Sequence, residues 1–367
     1  MGWHLNDLTL AASAPLVGGQ ATGYVFDAQR TQHVFYTGQP DLHVHELWWD
    51  SNGWHHNDLT AATGAPTSAG LPAAYVFAAQ GTQHVFYMGE NDSHIHELWW
   101  DTNGWHHNDL MAATGAPDPA RNPTAYLFLG QTQHVDYLGW DGHIHELWWD
   151  TNGWHHNDLT AATGAPLAGP LPPSENPAGF PTGYEFAAQG TQHVVYHGQD
   201  SHIYELWWDI SGWHYNDLTT AAGAPLAGRD GAGGGDPTGY VFDAQGTQHV
   251  LYVGNDQHIH ELWWDGTGWH HNDLTAATGA PLAYGHLTGY VFAAQPTQHV
   301  FFQDTGGRIH ELWWDSGGWH YHDISAAISA PTSQTPPAGY VFIAQGTQHV
   351  IYEGYKDGHI YELYWTA

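Results

Sequence analysis

The chain opens on "GWHLNDLT" (2–9) and closes on "HIYELYWTA" (359–367), and neither stretch is unique. "GWH" recurs with its Trp at 3, 54, 105, 154, 213, 269 and 319. "EL" recurs with its Glu at 46, 97, 146, 205, 261, 311 and 362. A third element, "QHV", places its His at 33, 84, 134, 193, 249, 299 and 349. A full copy runs QHV, EL, GWH, yet the chain starts with the last of these and ends just after the second. The two ends are therefore fragments of one repeat.

Each copy holds four strand-like runs. In the second they are "AYVFAAQ" (74–80), "TQHVFYMG" (82–89), "HIHELWW" (94–100) and "GWHHNDL" (104–110). Aromatic and β-branched residues fill the runs, and Gly, Asn, Asp or Pro punctuate them, as in "GENDS" and "DTNG". A Pro-containing linker such as "AATGAP" (61–66) closes the repeat, and the long insertions 167–181 and 226–237 read as surface loops. Four strands in seven copies predict an all-β chain, a single seven-bladed β-propeller domain over 1–367 with four antiparallel strands per blade. An N-terminal strand over 2–9 then pairs with the C-terminal three strands, within 339–366, and closes the ring. Closure hides sheet edges that would otherwise invite aggregation, whereas an open solenoid needs caps and has no reason to split a repeat.

Composition narrows the function. Against 37 acids there are 5 Lys and Arg, a net charge of −32 with His neutral. Nucleic acid is excluded as a partner, because few cations are present to displace its counterions. The 32 His bring the sum to zero if all are protonated, so solubility should fall through the His range. Cys is absent, which removes disulfides and thiolate metal sites. No run is apolar enough for membrane insertion, and the N-terminus lacks a signal-peptide core. A bacterial product, cytoplasmic or secreted without a classical signal peptide, is expected.

Comparing the copies separates fixed from variable positions. Tyr24 and Phe26 recur in every first strand on one face, as blade-to-blade packing requires. Thr31, Gln32, His33, Glu46, Trp54 and Asp58 also have a counterpart in each copy. The "HxH" pairs do not: they are His43/His45, His94/His96, His143/His145 and His258/His260, but His202/Tyr204, Arg308/His310 and His359/Tyr361 elsewhere. Two imidazoles on one strand face begin a zinc or copper site. Tyr replaces His better as an amphipathic ring than as a ligand, and Arg308 cannot ligate. A row of hydrogen-bonding rings is thus favoured over a metal, and no cofactor is expected. Every acid is repeated in the same setting, which argues against catalysis, since a catalytic site pushes its groups' pKa values apart.

The pattern "TQHVFY…HIHELWWD…GWHHND" resembles the repeat of the fungal fucose-specific lectins and of related seven-bladed propeller lectins from insect-pathogenic bacteria. The resemblance runs through every repeat. It implies sugar sites between adjacent blades, with a basic residue and a Glu from one blade and a Trp from the next. Carried over, His33 and Glu46 join Trp105; His84 and Glu97 join Trp154; His134 and Glu146 join Trp213; His193 and Glu205 join Trp269. His249 and Glu261 join Trp319, His299 and Glu311 join Trp3, and His349 and Glu362 join Trp54. The resemblance implies a non-enzymatic lectin with up to seven sites for fucose or a related monosaccharide. The family's basic residue is usually Arg and here is always His, which offers at most two donors and no rigid fork. Blade three, "LFLGQTQHVDY" (127–137), is one residue short and carries Asp136 at an apolar position, so its site is expected to be altered or empty. A metal-binding propeller and a protein-interaction scaffold remain alternatives, and the propellers are free to pair as a homo-oligomer.

Overall fold

A computed structural model describes residues 2–169, 180–228 and 236–366. The cores of the two long insertions lie outside these residues. Seven sheets, each a meander of four antiparallel strands, surround one axis. Blade one has strands Thr22–Phe26, Thr31–Gln39, Val44–Asp50 and Gly53–Asp58. Blades two to six repeat this over 73–109, 124–158, 182–217, 238–273 and 283–323. The first strands of neighbouring blades approach one another and line the axis. Blade one also gains a two-residue edge strand, Leu16–Val17, beside its second strand.

The seventh blade joins the chain ends. Strand Gly2–Asp7 pairs with Ile360–Thr366, with Trp3 opposite Trp365 and Asn6 opposite Glu362. The order is N-terminal strand, then the last, middle and first of the C-terminal three, so the ring closes as the split repeat predicts. The side chains lock the seam as well, since Asn6 donates to Glu362 at 2.8 Å and His359 lies 2.7 Å from Asp7.

One sequence expectation needs correction. The fourth strand ends at Asp7, not Thr9, and the Pro linker begins as a helix in every blade: Leu8–Ala12, Leu59–Thr63 and five more. The Asp that ends the strand caps this helix. Asp58 accepts the Ala61 N–H at 2.9 Å, and Gly64, at φ +68°, supplies the left-handed stop. No helix among the described residues is long and apolar enough to cross a membrane.

Blades are sandwiched, so both faces of the middle strands are buried. The period-two pleat sends Tyr24, His33, Phe35, Glu46, Trp48 and Asn57 to the face that meets the following blade. Gln32, Val34, Leu47, Trp49 and Trp54 go to the other face. Between blades one and two, Phe35, Val44 and Leu59 pack on Val85, Tyr87 and Leu98. A hydrogen bond crosses each joint: Tyr24 donates to Gln83 at 2.7 Å, and six equivalents follow up to Tyr340 to Gln32 at 3.2 Å. The recurring Phe meets the next blade's Trp edge-on, as Phe77 does Trp149. The Tyr and Phe of the first strand therefore pack blade to blade.

Candidate functional site

Each blade builds the same buried Thr–His–Glu chain, and six of the seven extend it to an Asn. His33 Nδ1 lies 2.7 Å from Glu46, and because a carboxylate only accepts, this N–H donates. The other ring nitrogen bonds the Thr31 hydroxyl at 2.7 Å. The second Glu46 oxygen accepts from Asn57 at 2.7 Å. All seven His–Glu pairs sit at 2.7–2.8 Å. His33 and Glu46 are only 3% and 2% exposed, so the pair forms the floor of the joint and Asn57 stands nearer the surface.

The next blade supplies the opposite wall. His84, Glu97, Trp99 and Asn108 of blade two face Gln133, Trp149 and Trp154 of blade three around a cavity of about 170 Å³. His193, Glu205, Trp207 and Asn216 meet Gln248, Trp264 and Trp269 around a second of about 170 Å³. His299, Glu311 and Trp313 meet Trp3, Gln348 and Trp365 around a third of about 580 Å³. Three of the trios read from the sequence thus share a cavity. At the other joints the Trp also lies against the preceding blade. Trp105 packs on Phe35, Trp213 joins Leu138 and Ile144, Trp319 joins Tyr240 and Leu251, and Trp54 joins Tyr340 and Ile351.

Sequence comparison missed half of each wall. Trp149 and Gln133 have a counterpart in every copy, and Trp99 and Asn108 in six, with Tyr364 and His322 in their places in the seventh and sixth blades. The signal was the pleat: Trp99 is two residues from Glu97 and lies directly opposite His84 and His106. His106 stacks on it at 4.1 Å and is itself held by Asp101 at 3.0 Å. That hydrogen bond, with one from the Asn103 N–H, draws the Asp101 carboxyl below its ordinary range. Trp48, Trp148, Trp207 and Trp263 occupy the same place, and their buried indole N–H groups find no acceptor among the described residues.

Blade three differs in its floor. Asp136 stands opposite Glu146 where Phe35 stands in blade one. It is fully buried, neither oxygen has a hydrogen-bond partner among the described residues, and burial, then Glu146, pushes its carboxyl well above the usual range. His134 and Glu146 keep their pairing beside it.

The HxH residues lie at the other end of the blade. His43 Nδ1 donates to the helix-capping Asp58 at 2.8 Å. His45 is buried between Asp41, at 3.3 Å, and His56, at 3.0 Å. His94 and His96, His143 and His145, and His258 and His260 repeat these contacts. Ligand atoms of Asp41, His45 and Asp58 come within 4.8 Å of one another, as do those of Asp141, His143 and Asp158, and of Asp256, His258 and Asp273. The substitutions show what is kept. Arg308 reaches Asp323 at 3.4 Å, and the Tyr204 and Tyr361 hydroxyls donate to Asp200 and Asp357 at 2.7 and 2.8 Å. A donor to a carboxylate is retained and a metal ligand is not, which favours hydrogen-bonding rings.

No protein-family model and no curated protein matches the chain. Among solved structures, SapL1 lectin in complex with α-methyl fucoside is 18% identical, with 87% of this chain and 98% of that one covered and a TM-score of 0.51. AofleA from Arthrobotrys oligospora is 15% identical over 88% and 89%, with a TM-score of 0.56. The six-bladed propeller lectin of Aleuria aurantia, described with a novel fucose recognition mode, is 15% identical. It aligns over 84% of this chain and 96% of its own, with a TM-score of 0.53. At such identities the likeness is one of fold. For the Aleuria aurantia lectin, the shares are those expected when six blades overlie six of seven.

Proposed function

We propose that the protein is a non-enzymatic lectin, with up to seven interblade sites for fucose or a related monosaccharide. One observation carries the reading: the joints gather indoles, a carboxylate and side-chain amides into cavities that open at the surface. Flat indoles cover sugar C–H groups, and the Glu, Asn and Gln side chains offer acceptors and donors to hydroxyls. The His is held by Thr and Glu, so it acts by fixing the carboxylate rather than as a free donor. This differs from the role the resemblance implies for the basic residue, and it leaves hydroxyl recognition to Glu, Asn and Gln. Solved neighbours with the same fold are lectins, one holding a fucoside, which supports the class of ligand. Repeated sites on one ring suit multivalent glycans, where avidity exceeds the affinity of each site.

Titration calorimetry with methyl α-fucoside and a glycan array test this. Binding by the folded protein, with Trp154→Ala removing one site and weakening the multivalent glycan about tenfold, or about 1.4 kcal/mol, is expected. A folded protein that binds no saccharide on the array overturns the reading.

A further inference from the structure

The seven joints are not alike. At six of them Asn6, Asn57, Asn108, Asn157, Asn216 or Asn272 donates a neutral amide N–H to the second oxygen of the Glu, at 2.7–3.0 Å. In blade six the same position holds His322, whose Nδ1 lies 3.7 Å from Glu311. Its ring is 41% exposed, and Glu311 is 7% exposed where the other six Glu side chains are 2–3%. This is also the seam joint, whose far wall is Trp3, Gln348 and Trp365. Its cavity of about 580 Å³ exceeds the 170 Å³ of the blade two and blade four sites. A longer, ionisable ring thus stands at the mouth of a wider pocket.

We propose that the seam site is a distinct subsite for an acidic saccharide of the uronic-acid class, with His322 as the residue that sets this specificity. The inference rests on the lectin reading and adds to it a second ligand class. An amide beside a carboxylate leaves the Glu charge uncompensated, which repels an anionic sugar. An imidazolium at the same place neutralises Glu311 and keeps its other N–H for a sugar carboxylate, in a charge-assisted hydrogen bond. Trp3, Trp313 and Trp365 supply apolar wall for the ring.

The groups around His322 favour its cationic form. On its own blade it faces Glu311, with His299 behind that carboxylate and Asp323 next in the strand. The neighbouring blade presents Trp3, Gln348 and Trp365, and the helix Ile324–Ile328 presents Ala327 and Ile328, all uncharged. The Glu311 carboxylate, 3.7 Å away, lifts the His322 pKa above its ordinary value, against the effect of burial. The cation is therefore present below the usual imidazole range, persists somewhat above it, and is lost at higher pH.

Calorimetry with methyl β-glucuronide at pH 5.5 and 8.5 tests the assignment. The expected result is one site per chain at pH 5.5, at least tenfold weaker at pH 8.5. His322→Asn, which restores the amide of the other six joints, abolishes the binding. His322→Arg keeps it and removes the pH dependence. Circular dichroism melts confirm that the variants fold. Unchanged glucuronide binding in His322→Asn, or equal affinity at both pH values in the wild type, overturns the assignment, as does the absence of glucuronide binding. Methyl α-fucoside run in parallel separates the two readings. Fucoside bound without glucuronide leaves the lectin standing and removes only the acidic subsite. Neither ligand bound, with an empty glycan array, removes both.

Discussion

The two ends of a blade use the same residue types under different rules. At the tryptophan end, the Thr–His–Glu chain is kept in all seven copies, with its distances held to a tenth of an ångström. At the aspartate end, His gives way to Tyr or Arg wherever a donor still reaches a carboxylate. Burial and solvent access explain the difference. The first network is sealed between blades, so every polar atom must be matched within it. The second is anchored by partly exposed Asp side chains that water also serves.

Adjacent residues on opposite faces break the comparison most sharply. Glu97→Ala strands His84 and Asn108 in the joint and should cost about 3 kcal/mol in urea unfolding. A loss below 1 kcal/mol would show that water reaches the network. Asp136→Leu works in the opposite direction. It replaces an unpartnered buried carboxyl with the side chain that blade five carries at the same place, Leu251, and should stabilise by about 1–3 kcal/mol. The folded state holds this proton more tightly than the unfolded one. The wild type therefore loses stability as pH rises past the ordinary carboxylate range, and the variant's advantage grows from pH 4 to pH 7.

Two smaller effects belong to the aspartate end. Burial, then Asp357, lifts the Glu353 carboxyl from 4.5 to about 7. Its contribution is fully present below pH 4.5 and is lost as pH rises through 7. Glu353→Gln should then raise the melting temperature at pH 8.5 and leave it unchanged at pH 4.5; equal shifts at both would count against a titration effect. His96→Tyr with His107→Tyr, beside Glu97, copies what blade four already has at Tyr204 and Tyr215. It should cost less than about 1.5 kcal/mol, well below the loss at Glu97.

Much of the ring was legible because its signals are local or periodic. The Tyr–Phe pair of the first strand and the alternation through "TQHVFY" declare strands, and the split repeat declares closure. The helix at Leu59–Thr63 was read as linker, since five residues are too few to hold a helix unaided. It exists because Asp58 caps it, Gly64 ends it, and Leu59 is buried against the next blade. The His–Glu–Trp trios were visible as recurring residues. Their partners Trp99, Asn108, Gln133 and Trp149 recur too, but no spacing assigns them to the site, because each belongs to it only once two blades face each other.

By itself, then, the sequence determined the number of blades, their strands and the seam, all of which follow from period and repetition; the trio at each joint is what the family resemblance implies. Tertiary structure alone decided the rest. It sealed His33 and Glu46 into the floor, set Asn57 and the paired indoles as the walls, and opened the seam at His322. Those properties depend on which faces of two separate sheets meet and how closely, a distance in space that no spacing along the chain encodes.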